Sequence, residues 1–144
     1  MVRKVALITG GSRGLGKEMA LAFAHQGADV MIASRSIESC EETAAEVRRE
    51  TGRNCVPYAC HIGRWDELEG LAEAAWNEFG GVDILVNNAG VTRDNLTMRM
   101  KDEEWGDVIR INLEATFRLM RAVTKPMMKA RFGRIITITS VVGT

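Results

Sequence analysis

The sequence is poor in several features that would indicate a particular class of protein. It has only two prolines among 144 residues and no low-complexity tract, which argues against a disordered chain. Basic and acidic residues balance at 19 each, so no overall field favours nucleic acid or an acidic membrane surface. No apolar run approaches the roughly 18 residues needed to span a bilayer. We therefore expect a single globular domain over residues 1–144, soluble and cytoplasmic.

Cysteine is also scarce, and the three residues of this type are an odd number. Cys55 and Cys60 are five positions apart on a predicted strand, so their side chains should point to opposite faces of the sheet. A disulfide framework is therefore not expected. His61 follows Cys60, but these few candidate ligands lack the second cluster that a metal site requires. We predict buried cysteines and no metal site.

What the sequence does contain is a regular alternation of short apolar runs with longer segments of helical period. The predicted strands are Val5 to Ile8, Val30 to Ala33, Val56 to Cys60, Val82 to Val86, and Ile135 to Ile138. Strands that are apolar on both faces and separated by helices indicate a parallel sheet covered on both sides. The fold class is therefore α/β, a doubly wound Rossmann sheet with strand order 3-2-1-4-5.

Four helices are predicted between these strands, each with an apolar stripe interpreted as its core face. The stripes are Leu15, Met19, Ala22 and Phe23; Ile37, Cys40, Ala44 and Val47; Trp65, Leu68, Leu71, Ala72, Ala75, Trp76 and Phe79; and Trp105, Val108, Ile109, Leu113, Phe117, Met120 and Met127. The last stripe belongs to one long helix that begins near Asp102 and ends before Gly133.

A glycine-rich turn joins the first strand to the first helix, at residues 9–16 (Thr-Gly-Gly-Ser-Arg-Gly-Leu-Gly). Gly10 would permit a tight turn, Gly14 would leave room for a pyrophosphate, and Gly16 would allow close packing of the helix on the strand. The first amides of the helix and its dipole would then attract phosphates. A purely structural glycine turn is the alternative interpretation.

The end of the second strand predicts which dinucleotide would bind. Sheets that prefer NAD place an acidic residue there for the ribose 2′-hydroxyl, but this sequence has Ser34 and Arg35. Arg13 and Arg35 could converge on a 2′-phosphate, with hydroxyl donors from Ser12 and Ser34. This chemistry favours NADP over NAD, unless both arginines are only solvated surface charges.

Four features in this order resemble the signature of the short-chain dehydrogenase/reductase family. They are the glycine turn at residues 9–16, the run Asn87-Asn88-Ala89-Gly90, then Asn112, and then Ser140. The segment from Asn87 to Thr144 looks particularly like the bacterial 3-oxoacyl-[acyl-carrier-protein] reductases. The chain resembles the amino-terminal part of the family domain and ends after the fifth strand.

The resemblance implies a role for each matching position. The pyrophosphate would lie against Gly10, Ser12, Arg13, Gly14, Leu15 and Gly16. His61 and Ile62 would lie beside the adenine, and Asn88, Ala89 and Gly90 would line the adenosine and central ribose, whereas Asn87 would support the sheet. His61 departs from the acidic or amide residue common in the family, so its contact with adenine would depend on its tautomer. A core histidine without a ligand is the alternative.

The resemblance also implies a reaction, the transfer of hydride from NADPH to a substrate carbonyl. Ser140 would stabilise the oxyanion, and Asn112 would hold a water in the proton relay. The family's proton-donating tyrosine, and the lysine four residues after it, would follow Ser140 by about a dozen residues, beyond Thr144. The single tyrosine, Tyr58, has no lysine four residues later. We therefore expect the 144-residue chain alone to be inactive.

Partners are also implied by the resemblance. NADP(H) is the expected ligand, and Lys129 and Arg131 resemble positions that receive the acyl-carrier protein, although a solvated basic face is the alternative. A homo-oligomer is expected, through the outer edge of strand five or through the fourth helix. Two further interpretations stay open, a non-catalytic dinucleotide-binding or interaction module and a folded relic without a ligand.

Overall fold

The computed structural model describes residues 4–12, 14–61, 64–88, 101–109 and 113–138. The strands are β1 (Val5–Thr9), β2 (Asp29–Ser34), β3 (Cys55–Ala59), β4 (Ile84–Asn87) and β5 (Arg134–Thr137). The helices are α1 (Gly14–His25), α2 (Ile37–Thr51), α3 (Trp65–Phe79), α4 (Asp102–Ile109) and α5 (Ala115–Ala130). Within these ranges, no helix is both long enough and apolar enough to cross a membrane.

All five strands run parallel in one sheet, in the order β3-β2-β1-β4-β5. This confirms the predicted doubly wound fold and its strand order. Pro57 lies in β3 at the edge of the sheet, where the missing proline N–H costs no ladder hydrogen bond on the outer side. The chain moves outward from β1 to β3, then returns to place β4 on the other side of β1. A crevice therefore opens at the carboxyl ends of β1 and β4.

Alternate residues of each inner strand enter two separate cores, one on each face of the sheet. Leu7 belongs to the core covered by α3 and α5, whereas its neighbours Ala6 and Ile8 belong to the core covered by α1 and α2. Cys60 and Cys55 also divide between these two cores. The prediction that they are buried on opposite faces is therefore confirmed, although Cys60 comes just after β3.

The core face of α1 is only partly the one predicted. Its buried residues are Gly16, Ala20 and Ala24, whereas Leu15 is 57% exposed and Ala22 is also exposed. Small side chains let the helix approach β1 and β2 closely, so the larger apolar side chains lie beside the contact rather than in it. The core assignment was therefore wrong for Leu15 and Ala22, whereas Met19 and Phe23 are partly buried and pack against the core.

The predicted fourth helix is described as two segments, α4 and α5, with residues 110–112 between them outside the described residues. The buried stripe of α5 is Ala115, Leu119, Val123 and Met127, spaced by four. Of the predicted stripe, Trp105, Leu113 and Phe117 are instead 60%, 62% and 58% exposed. Their assignment to the core was wrong. Phe117 belongs to an apolar stripe of α5 that does not pack on the sheet, whereas Trp105 lies in α4 and Leu113 precedes α5.

Candidate functional site

The carboxyl ends of four neighbouring strands bring the predicted site residues to one edge of the sheet. Gly10 follows β1, Ser34 ends β2, His61 comes two residues after β3, and Asn88 follows β4. Backbone hydrogen bonds join these ends, since the Gly10 amide donates to the Ala33 carbonyl at 2.8 Å and the Cys60 amide donates to the Ser34 carbonyl at 2.9 Å. The glycine turn, the end of β2 and the segment after β3 therefore form one continuous edge.

The glycine turn has the backbone that its sequence requires. Gly10 has a φ of 67°, in the left-handed region that favours glycine. A Cβ on Gly16 would lie 2.0 Å from the Gly10 carbonyl oxygen, so no other residue fits there without displacing the turn. A Cβ on Gly14 would meet nothing within 4 Å. The start of α1 is thus open to solvent at Gly14, and Leu15 beside it is exposed.

Asn88 and Thr9 hold the turn from the β4 side. The Asn88 side-chain amide donates to the Gly10 carbonyl at 3.2 Å, and its backbone N–H donates to Thr9 Oγ1 at 3.1 Å. The Thr9 hydroxyl in turn lies 3.4 Å from the Val86 carbonyl oxygen. Asn88 therefore supports the turn directly, and Thr9 acts with it although the sequence argument gave Thr9 no role beyond the motif.

Ser34, Arg35 and Ser36 form the connection between β2 and α2. The Ser34 hydroxyl bonds to the backbone of Ser36 at 3.3–3.4 Å, long distances that leave it available to a better partner. Ser36 caps α2, because its Oγ accepts from the Ser39 N–H at 3.3 Å. Arg35 is exposed between these two serines. No carboxylate stands at the end of β2, as the sequence indicates.

Thr43 is a residue of this site that the sequence argument missed. It lies in α2, is 4% exposed, and its Oγ1 donates to the carbonyl oxygen of Ser12 at 2.6 Å. Farther along, Lys17 of α1 forms an ion pair with Glu46 of α2 at 2.5 Å, and the hydrogen bond to Glu46 raises the pKa of Lys17. No local pattern reveals the contact of Thr43, since 31 residues separate it from Ser12.

His61 lies at the end of the edge beyond β3 and is half-buried. Its backbone N–H donates to Glu67 Oε1 at 3.1 Å, and the Glu67 carboxylate is 3.6 Å from Arg64 Nη1. Glu67 therefore ties the segment after β3 to the first turn of α3. The position of His61 is compatible with either of its two interpretations, the adenine contact and the core histidine.

Several predicted site residues lie outside the described residues. They are Arg13, Ile62, Ala89, Gly90, Asn112 and Ser140. The convergence of Arg13 with Arg35, and both predicted catalytic positions, therefore stay predictions.

The buried thiols and the single tyrosine belong to the interior. Burial raises the pKa of Cys55 and of Cys60 to about 12. Tyr58 packs against the core under α3, where its hydroxyl would lie 3.2 Å from a Cβ placed on Gly70. Among the residues that the structure describes, no group of three or more His, Cys, Asp or Glu side chains could hold a metal ion.

Known proteins resemble this chain in sequence over nearly its full length. A family model described as short chain dehydrogenase matches residues 4–144. The 3-oxoacyl-[acyl-carrier-protein] reductase FabG of Vibrio cholerae is 49% identical over 141 residues, and that of Escherichia coli is 50% identical. Both matches cover 98% of this chain but 56% of the relative. The chain thus spans little more than half the length of these curated relatives.

Solved structures agree with the sequence relatives. A metagenomic short-chain oxidoreductase in complex with NADP has a TM-score of 0.94 at 33% identity, over 99% of this chain and 65% of that one. L-Sorbose reductase from Gluconobacter frateurii, complexed with NADPH and L-sorbose, has a TM-score of 0.93 at 33% identity. This match covers 98% of the present chain and 54% of the reductase chain. The family signature, the sheet order and these matches together show that the chain belongs to the short-chain dehydrogenase family.

Proposed function

We propose that this chain is the NADP(H)-binding portion of a short-chain reductase of the 3-oxoacyl-[acyl-carrier-protein] reductase type. The observation that carries the proposal is the glycine turn. Its backbone is tightly packed at Gly16, has open space beside it at Gly14, and is fixed to β2 by the hydrogen bond from the Gly10 amide to the Ala33 carbonyl. An open helix N-terminus behind such a turn attracts phosphates through its free N–H groups and its dipole. The relatives' complexes with NADP and NADPH support the same assignment.

The preference for NADP over NAD rests on the connection between β2 and α2. Arg35 is exposed next to Ser34, whose hydroxyl makes only long bonds to Ser36. A guanidinium group forms short, charge-assisted hydrogen bonds with a phosphate, and the hydroxyl of Ser34 can add one donor. We assign Ser12 and Arg13, of the glycine turn, to the same 2′-phosphate.

The remaining contacts follow the edge of the sheet. The pyrophosphate is assigned to Gly10, Gly14, Leu15 and Gly16, and exposed Leu15 would flank it. Adenine is assigned to the segment at His61 and Ile62, which Glu67 ties to α3. The adenosine and central ribose are assigned to Asn88, Ala89 and Gly90.

The proposed chemistry is reduction of a carbonyl, for which NADPH supplies the hydride. Ser140 would donate a hydrogen bond to the developing oxyanion, and Asn112 would hold a relay water. Tyr58 cannot provide the proton from its position in β3, packed against α3 on the core side. A positioned general acid contributes roughly 100- to 10,000-fold in rate. We therefore expect no steady reductase activity from a polypeptide of these 144 residues alone.

Two partner surfaces are proposed on and beside α5. The first carries Phe117, Met120 and Met128 together with Arg121, and we assign it to self-association because the large apolar side chains of Phe117 and Met128 lie exposed there. Exposed Lys129 and Arg131, at the end of α5, are assigned to an acidic carrier protein.

Calorimetric titration with 2′-phospho-AMP, AMP and NADPH tests the binding proposal. We expect saturable binding of NADPH, and tighter binding of 2′-phospho-AMP than of AMP. Equal or absent binding of the two adenylates would refute the proposed preference. Steady NADPH oxidation with a 3-oxoacyl thioester, in a preparation free of other reductases, would refute the proposed inactivity of the 144-residue polypeptide while leaving the binding proposal intact.

A further inference from the structure

The hydroxyl of Thr43 has an unusual partner for a threonine inside a helix. A helical threonine commonly donates to the carbonyl four residues earlier in its own helix. Thr51 and Thr124 do so here, to Val47 and Met120 at 2.6 and 2.5 Å. Thr43 instead donates out of α2 to Ser12, at 2.6 Å. The buried hydroxyl therefore joins two elements and does not merely satisfy its own helix.

The acceptor lies in the middle of the glycine turn. Gly11, which precedes Ser12, is pressed onto β2, because a Cβ there would lie 2.6 Å from Ile32 Cγ2. Gly11 is fixed against β2, and the Ser12 carbonyl is fixed by Thr43. The direction of the Ser12 carbonyl dipole is therefore determined. The partially negative oxygen of the Ser12 carbonyl accepts a hydrogen bond from the Thr43 hydroxyl.

The donor lies on the helix that immediately follows Ser34 and Arg35. The proposed 2′-phosphate site has two halves, the glycine turn at Ser12 and the connection at Arg35, which come from separate parts of the chain. Thr43 links α2, the helix that follows Arg35, to the backbone of the glycine turn at Ser12. The bond thus controls both the separation of the two halves and the orientation of a carbonyl dipole close to the expected anion.

We infer that Thr43 is a positioning residue that sets the selectivity of the site for a ligand bearing a 2′-phosphate; this inference rests on the proposed function. Without the hydroxyl, the Ser12 carbonyl loses its partner and is free to turn toward the crevice. A carbonyl oxygen repels a phosphate dianion far more than a neutral 2′-hydroxyl, since the interaction scales with ligand charge. Loss of the bond therefore weakens NADPH binding and largely spares NADH binding.

The test compares the dissociation constants of NADPH and NADH for the unaltered chain and for Thr43→Val, which keeps the side-chain shape but removes the hydroxyl. We expect NADPH affinity to fall about tenfold, the scale of one hydrogen bond, while NADH affinity changes by less than about twofold. Thr43→Ser should restore the selectivity to near its original value. Thr51→Val is the control, because it removes a threonine hydroxyl that bonds to Val47 and Arg53 near the end of α2 and should leave the selectivity unchanged.

Thr43→Ala provides a second variant without the hydroxyl if the valine variant does not fold, with folding checked by circular dichroism. An unchanged ratio of NADPH to NADH affinity in a folded variant overturns the inference while the proposed function stands. Equal loss of both affinities also overturns it, since that result indicates a structural role alone. If the unaltered chain itself shows no preference for NADPH, the proposed function fails and the inference fails with it.

Discussion

Gly16 in α1 lies directly against the carbonyl of Gly10, so closely that a Cβ would come within 2.0 Å of the oxygen and 2.7 Å of the Asn88 side-chain nitrogen. The backbone of the helix thus packs against the turn at the end of β1. Gly14, where a Cβ would meet nothing, lies between Gly10 and Gly16 in the chain. The shape of the proposed phosphate cradle depends on this approach.

Gly16→Ala should therefore displace the glycine turn. We expect the free energy of unfolding to fall by about 1–3 kcal/mol, the usual cost of forcing extra volume into a packed contact. NADPH binding should weaken by at least about tenfold. Urea denaturation and calorimetric titration measure the two effects.

Gly81→Ala is the control for this substitution, because a Cβ at Gly81 meets nothing within 4 Å. It should leave NADPH binding unchanged. Unaltered NADPH affinity in the folded Gly16→Ala variant would contradict the assignment of this turn to the phosphates.

Arg35→Ala should reduce the affinity for NADPH by about 10- to 100-fold, the effect of losing charge-assisted hydrogen bonds to a phosphate. NADH affinity should change little, since NADH has no 2′-phosphate. Arg49→Ala serves as the control, because Arg49 is also an exposed arginine and lies near the far end of α2. If both arginine variants lower NADPH affinity equally, the effect is one of general charge and not of a site.

The sheet was predictable from the sequence because its strands carry continuous apolar runs bounded by helices, and their order follows from the doubly wound fold. The glycine turn was predictable because Gly10 and Gly16 serve local backbone needs. The hydrogen bond from Thr43 to Ser12 was not predictable, because a threonine on an amphipathic helix gives no sign of a partner 31 residues away.

The core faces of the helices were harder to predict for a different reason. Helical period identifies an apolar stripe but not the surface that covers it. Phe117 belongs to a stripe on α5 that does not pack on the sheet, whereas Ala115 and Leu119 do. On α1, Ala20 and Ala24 form the contact although larger apolar residues lie beside them.

Cys55 and Cys60 should resist thiol reagents in the native protein. With pKa values raised to about 12 by burial, their thiolate fraction at pH 8 is about a thousandfold below that of an exposed thiol of pKa 9. Because the folded state keeps these thiols protonated, their contribution to stability is intact below pH 9 and is lost as the pH rises toward 12. Labelling with a chromogenic disulfide reagent, with and without urea, checks the first effect. Rapid labelling of either cysteine in the folded protein would contradict it.

Phe117→Asp should weaken self-association through the exposed stripe of α5. A carboxylate placed in an apolar contact must be desolvated, which disfavours the associated state. Sedimentation velocity at several protein concentrations measures the change. Ala45→Asp, which adds the same charge at an exposed position of α2 on the other face of the sheet, should have no effect. A chain that is monomeric at all concentrations would contradict the assigned surface.

The crystal structure of the chain with NADPH tests the central claim, a phosphate site built from the glycine turn and the end of β2. We predict the pyrophosphate at the open side of Gly14, and the 2′-phosphate within about 2.7–2.9 Å of the Arg35 guanidinium group. A nucleotide bound away from the carboxyl ends of β1 and β2, or a 2′-phosphate with no contact to Ser12, Ser34 or Arg35, would contradict the claim.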